Sequence, residues 1–353
     1  MERRRSAVPR SRAQVLKMYL RSPRLRNQLL LALWVAACLA GCLLLGIVVL
    51  IDTAYPILPF PLGFLRPILS AVSVLILACL VYGLFFERLW IETTHTRIRT
   101  AKLPPGADPI RIVHLSDFHC THYDVLERKL PGLVHGLCPD LILMTGDYLG
   151  TLKGLPTLKR LSSSFRSPYG IFAVLGNHDV WNAPHLDLFE GSGVVLLENE
   201  IKEISIRGVS VSLIGIAVEE EEKGLSVLRA HSGDTLNILL YHYPELIERV
   251  SSKRVDLMLA GHTHGGQVAL PFFGAIVTLD KGWKRYERGF YRVGESALYV
   301  NRGIGSHGGI FPPLRFFSRP EIAVLDLIPE NASAEHRSKT PLNQRESSSP
   351  PSP

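Results

Sequence analysis

Five short blocks of metal-binding side chains recur in fixed order along the chain: Asp117-Phe118-His119, Gly146-Asp147, Gly176-Asn177-His178-Asp179, His242 and Gly261-His262-Thr263-His264. Most of them close an apolar run of strand length. Ile110–Leu115, Leu141–Met144, Ile171–Leu175, Val209–Ile216, Leu236–Tyr241 and Val255–Ala260 are predominantly β-branched or aliphatic runs of strand length, the pattern of buried strands. Helical spacing with polar interruptions appears at Val125–Leu137, Leu155–Ser164 and Glu245–Ser251. The early part alternates strand and helix and the later part is strand-rich, which predicts an α/β fold with sheets packed together and flanked by helices. Such a chain carries its carboxylate, amide and imidazole groups to one edge of the sheets.

The apolar excess of the 353-residue chain sits at its front. Leu29–Ile51 is 23 residues without a charge, about 34 Å as a helix at roughly 1.5 Å per residue, enough to cross a bilayer core of about 30 Å. Pro67–Phe86 is a second run of 20 residues, and Pro56, Pro59 and Pro61 interrupt the connection between them. A transmembrane helical hairpin is therefore expected over 29–86. Residues 1–28 hold nine basic side chains against one acid, a net +8, so the rest of a chain with net charge +7 is close to neutral. A nucleic-acid footprint spreads over a folded face; a basic cluster just ahead of a membrane span is retained in the cytoplasm instead. Two spans then return the following domain to that side. The boundaries read from sequence are a basic amino terminus (1–28), the hairpin (29–86), a charged linker (87–109), a catalytic domain (110–329) and a disordered tail (330–353), the last rich in Ser, Pro and charge. Leu39-Ala40-Gly41-Cys42 has the form of a lipoprotein box, but the apolar run continues past its cysteine. Cys120 and Cys138 outside the spans form no disulfide or thiolate-metal spacing.

The blocks define a chemistry. Paired divalent ions roughly 3.5–4 Å apart clamp a phosphoryl group and activate water near neutral pH. They need one bridging carboxylate and separate ligands for each ion. Side chains alternate along a strand, so Asp117 with His119, and His262 with His264, are expected on one side of a strand end. A single histidine on an apolar face is usually structural; the number and order of these residues argue otherwise. The all-nitrogen-and-oxygen donor set admits Mn²⁺, Fe or Zn²⁺, with Mn²⁺ the first choice.

With these blocks in hand, the chain resembles the calcineurin-like metallophosphoesterases, whose pattern is Asp-x-His, Gly-Asp, Gly-Asn-His-Asp/Glu, His and Gly-His-x-His. Every block is present over residues 110–327. The resemblance implies two mixed β-sheets packed as a sandwich flanked by α-helices. It implies one ion on Asp117, His119, Asp147 and His264, and another on Asp147, Asn177, His242 and His262, with Asp147 bridging. By the same analogy His178 serves the leaving oxygen or the phosphoryl group, and Asp179 orients its ring. The longer string Ala260 to Gln267, beside a membrane segment, is similar to membrane-associated bacterial phosphodiesterases, a subgroup that includes a UDP-2,3-diacylglucosamine pyrophosphatase of lipid A synthesis. The implied enzyme is a hydrolase of a lipid-linked nucleotide at the cytoplasmic face of the bacterial inner membrane. The alternatives are a broad-specificity phosphodiesterase and a non-catalytic membrane scaffold.

Two later stretches are candidates for substrate contact. Lys281 to Tyr286 mixes cations with aromatics. Gly308 to Pro320 sets Phe311, Leu314, Phe316 and Phe317 around Arg315 and Arg319, and reads either as a membrane-facing rim whose arginines meet phosphate or as a packed carboxy-terminal strand and turn. Arg302, ahead of Gly303-Ile304-Gly305-Ser306, is a second phosphate candidate.

Overall fold

The computed structural model describes residues 23–55, 65–231, 234–251, 254–278, 280, 282–306 and 313–331. Most of the basic amino terminus, the three prolines between the apolar runs, Lys281, Phe311 and all but the first residues of the expected disordered tail lie outside these.

Two helices open the described chain, Pro23–Ala54 and Leu65–Val81, the second continuing through a wider turn at Tyr82–Phe86 and a short 3₁₀ turn at Glu87–Leu89. They run antiparallel: Asp52 pairs with Arg66 at 2.6 Å near the turn, and further along Ser73 Oγ donates to the Cys42 carbonyl at 2.9 Å. Both are long and apolar enough to cross a membrane, and only 11% of each apolar window is buried, unlike a helix in a soluble core.

Fourteen strands follow among the described residues. The first six-stranded sheet has the order β1 (Glu92–Thr100), β14 (Glu321–Pro329), β2 (Ile110–Leu115), β3 (Leu141–Met144), β4 (Ile171–Ala173) and β5 (Val194–Leu196). The second runs β12 (Gly289–Val293), β13 (Ser296–Val300), β9 (Leu257–Ala260), β8 (Leu236–Leu240), β7 (Val209–Gly215) and β6 (Glu200–Ile206). Each is mixed: β2 to β5 are parallel with β14 antiparallel to β2, and β7, β8, β9 and β13 are parallel with antiparallel strands at both edges. A small ribbon, β10 (Ala269–Leu270) and β11 (Gly274–Ala275), stands apart.

Period-two alternation sorts the apolar side chains into three layers. Ile112, Leu141, Leu143, Leu213, Ile238, Leu240, Leu257 and Leu259 meet between the sheets. Val113, Leu115, Ile142 and Met144 face out onto helices Val125–Gly136 and Leu155–Ser162 through Leu130, Val134, Leu158 and Leu161. Leu239, Met258 and Leu298 do the same on the far side against Leu225, Leu228 and Ile247. The first of these helices starts on a capping box, Asp124 Oδ1 accepting from Val125 N–H at 2.8 Å and Glu127 Oε2 from Asp124 N–H at 3.0 Å.

The segment 87–109, expected as a linker, contributes β1. Its nine residues pair in register with β14, Glu92 opposite Glu321 through Thr100 opposite Pro329. The charges that suggested a linker, Arg97 and Arg99 among them, are those of an edge strand.

Candidate metal centre

The parallel strands of both sheets end on one edge, and the loops that leave them converge there. The loops after β2 and β3 remain paired beyond the strands: Asp117 N–H donates to the Gly146 carbonyl at 2.9 Å, His119 N–H to the Asp147 carbonyl at 2.9 Å and Cys120 N–H to the Tyr148 carbonyl at 2.8 Å. Alternation does not aim these side chains, however. Asp117, His119, Asp147, His262 and His264 all have left-handed backbone, with φ of 51°, 44°, 56°, 72° and 52°. Residues with a Cβ seldom adopt it, and its concentration at this edge marks a site held in place by its surroundings.

Two groups form. The ligand-capable atoms of Asp117, His119 and His264 lie within 4.8 Å of one another, and so do those of Asp147, His242 and His262. In the first, His119 Nε2 is 3.0 Å from His264 Nε2, which is 3.4 Å from Asp117 Oδ1. Asp147 joins the groups: its Oδ2 is 3.4 Å from His242 Nε2 and 3.6 Å from His119 Nε2. Asn177 Oδ1 is buried, and no hydrogen-bond donor among the described residues reaches it. An unpartnered buried acceptor beside buried carboxylates and imidazoles fits a divalent cation, which accepts such donors.

Charge and burial compete across the site. Burial opposes the charge of Asp147, yet cationic His242 with His178 and His119 holds its carboxyl well below the usual range. Burial also opposes charge on His242, but Asp147, followed by Asp117, raises it to about 10. His262 is pushed down to about 4 by burial and by neighbouring His242, and burial lowers His178.

Contacts from one sheet fix the site residues of the other. His242 Nδ1 donates to the Thr145 carbonyl at 2.7 Å, turning Nε2 towards Asp147. His262 N–H donates to Asp117 at 3.0 Å, and Ser116 Oγ donates to the same Oδ2 at 2.6 Å. A Cβ on Gly261 would lie 2.0 Å from Ser116 Oγ and 2.2 Å from Asp117 Oδ2, so only glycine lets these loops meet. Gly176 is equally tight, its missing Cβ falling 2.2 Å from Asp147 Oδ1.

His178 stands at the rim. Its ring is 4.9 Å from His119 and 5.2 Å from Trp181, and its N–H donates to Asp147 Oδ1 at 2.8 Å. Three expectations are corrected here. Asp179 does not orient the His178 ring: its Oδ1 accepts from Tyr148 and Leu149 N–H at 2.8 and 3.0 Å and its Oδ2 from Gly176 N–H at 3.0 Å. Placed in the first turn of helix Asn177–Asn182, it ties the loop after β4 to the loop after β3. Arg315 does not face a substrate. It is fully buried, with its guanidinium on the carbonyls of Arg302, Gly303, Gly305 and Ser318 and 3.3 Å from His264 Nδ1. Arg302 is likewise withdrawn, paired with Glu92 at 2.9 Å and Glu321 at 3.3 Å. Sequence reading passed over Ser116, Thr145 and Glu321. Ser116 and Thr145 lie just beyond an apolar run and Glu321 just ahead of one, which is their only signal.

An α/β sandwich that gathers two oxygen–nitrogen ligand groups around a shared carboxylate defines a dinuclear metallohydrolase. The chain belongs to the calcineurin-like metallophosphoesterases and is a phosphoester hydrolase: residues 110–266 match the family described as calcineurin-like phosphoesterase. It is 33% identical over 264 residues to the uncharacterized metallophosphoesterase YkuE of Bacillus subtilis, spanning 70% of this chain and 88% of that protein. To the phosphodiesterase YaeI of Escherichia coli it is 30% identical over 258 residues, 70% of this chain and 92% of the other. To the UDP-2,3-diacylglucosamine pyrophosphatase LpxG of Chlamydia trachomatis it is 27% identical over 277 residues, 61% of this chain and 83% of the other.

Proposed function

We propose that this chain is a membrane-anchored hydrolase that cleaves a phosphodiester or pyrophosphate bond of a lipid-linked substrate, with UDP-2,3-diacylglucosamine, split to UMP and 2,3-diacylglucosamine 1-phosphate, as the favoured compound. The observation that carries the hydrolytic part is the position of Asp147 Oδ2 between His119 and His242. In this reading Asp117, His119 and His264 hold one divalent ion, Asn177, His242 and His262 a second, and Asp147 both, with Mn²⁺ preferred over Fe or Zn²⁺. When bound, the ions polarise phosphoryl oxygens and make water nucleophilic near neutral pH.

The chain's own residues orient and stabilise. Thr145 and Ser116 keep the ligands turned inward. His178, held neutral by burial, offers a ring N–H to the phosphoryl or leaving oxygen. Asp179 contributes by fixing the loop that carries Asn177 and His178.

The lipid part rests on the helical hairpin, whose two ends both meet the catalytic domain. Gln28 Nε2 donates to the Asp280 carbonyl at 2.7 Å, and Glu87 accepts from Ser318 N–H at 2.8 Å. Ser318 Oγ in turn donates to the His264 carbonyl at 2.8 Å. Both ends on one side, with the basic residues before them, favour a cytoplasmic domain at the bacterial inner membrane. The LpxG relative supports the substrate, and the YaeI relative favours a second reading, a broad-specificity phosphodiesterase. Purified enzyme with Mn²⁺ is expected to release UMP from UDP-2,3-diacylglucosamine and to stop when chelator is added. Brisk hydrolysis of a chromogenic diester with no UMP released selects the second reading.

A further inference from the structure

Directly after the metal-binding loop the chain forms the β10–β11 ribbon, and its tip is the most exposed apolar point of the described domain. Phe272 is fully exposed at 111% of its reference area, Phe273 and Leu270 are 52% and 44% exposed, and Phe272 has left-handed backbone at φ 64°. A bulky aromatic in that conformation, pointing into water, is unfavourable twice over.

The ribbon is flanked by both feet of the helical hairpin. On one side Ala269 N–H donates to the Phe316 carbonyl at 2.8 Å, and the Phe316 ring meets Tyr82, in the last turn of the second helix, edge-on at 6.3 Å. On the other, Thr278 N–H donates to Gln28 Oε1, on the first helix, at 3.2 Å. Beside it Phe317 is 51% exposed, and Phe85 and Phe86 are 61% exposed each. Cations border the aromatics: Lys284 Nζ lies 3.8 Å over the Phe273 ring and Arg319 lies 3.8 Å over that of Trp90. Aromatic and aliphatic tips bordered by Lys and Arg, continuous with membrane-crossing helices, have the composition of a segment seated at the headgroup–acyl boundary.

We propose that the Leu270–Phe273 tip inserts into the bilayer interface beside the hairpin, as a third membrane contact that holds the mouth of the metal site against lipid headgroups. The occupant of this surface is the lipid bilayer itself. The proposal rests on the reading of the two helices as a membrane hairpin and is independent of which phosphoester is cleaved.

The test uses the full chain in nanodiscs of phosphatidylethanolamine and phosphatidylglycerol. A photoreactive benzoylphenylalanine replaces Phe272, in separate preparations Leu44 on the exposed face of the first helix, and in others Leu133 on the exposed face of helix Val125–Gly136. Phe272 is fully exposed, so the substitution leaves the packed core untouched and folding is not at issue. The expected result is a phospholipid mass shift on the peptides carrying positions 44 and 272 and none on that carrying 133. Adducts at 44 without any at 272, or a protein adduct at 272, overturn the proposal and leave the hairpin standing. No lipid adduct at 44 overturns the membrane reading and the proposal with it.

Discussion

The two sheets meet at one edge but bring different chemistry. The first supplies both carboxylates and the amide, Asp117, Asp147 and Asn177, together with His119; the second supplies only imidazoles, His242, His262 and His264. Neither set is held by its own sheet alone. His242 of the second sheet is turned by the Thr145 carbonyl of the first, and Asp117 of the first accepts from His262 N–H of the second. The site is thus a property of the sandwich joint, and its geometry reports how well the sheets are docked.

The largest effect should come from removing a ligand on either side. Asp147→Ala and His242→Ala are each expected to lower kcat/KM more than about 100-fold, beyond the loss of an outer partner. If His242→Ala retains near-normal turnover in a Mn²⁺ titration, the second sheet is not a ligand source and the comparison fails. Arg315→Met tests the outer layer of the second sheet, because it strips the support from His264 and leaves four carbonyls short. Mn²⁺ affinity by calorimetry should fall about 10- to 100-fold, with Arg315→Lys recovering part; unchanged affinity would make Arg315 merely a loop clamp. Gly261→Ala probes the joint directly. The added methyl meets two side-chain atoms, and thermal unfolding should record a loss of about 3 kcal/mol, the upper end for overpacking.

The smallest effect concerns pH. His114, inside the joint and hydrogen-bonded to Thr145 at 2.8 Å, is pushed down to about 3 by burial. The unfolded chain binds a proton near pH 6.5 that the folded chain refuses, so stability falls as pH drops through 6.5 towards 3. Between pH 7 and 5 this amounts to about 2 kcal/mol. His114→Gln should flatten that slope in denaturant titrations; an unaltered slope would assign the acid sensitivity elsewhere.

Much of this architecture is legible in the sequence, for a local reason. Buried strands leave predominantly apolar runs, so Ile110–Leu115, Leu141–Met144 and Leu236–Leu240 stand out together with the Asp and His residues that follow them. The edge strands do not announce themselves. β1 reads as a linker because one face is solvated and charged, and β12 alternates in the same way. The residues that gather at this edge are also legible, since Asp and His at strand ends have few other uses in such numbers. How they are aimed is not: strand alternation predicts shared sides, whereas left-handed turns bring Asp117 and His119 together. The roles of Asp179, Arg302 and Arg315 depend on backbone carbonyls, amides and carboxylates that the fold brings round them, which spacing alone does not show.

The five left-handed residues of the site bear on the folding equilibrium. Each such conformation costs about 1 kcal/mol, so together they cost on the order of 5 kcal/mol, comparable with the net stability of a modest domain. Glycine at His119 should return about 1 kcal/mol of that strain to the metal-free protein while abolishing its chemistry, whereas at Asp117 or Asp147 the buried N–H groups left without an acceptor outweigh the gain. Activity and endurance therefore pull in opposite directions at His119. Ions bound at these residues would return that free energy, so holding the ions and staying folded would be one equilibrium seen from two sides.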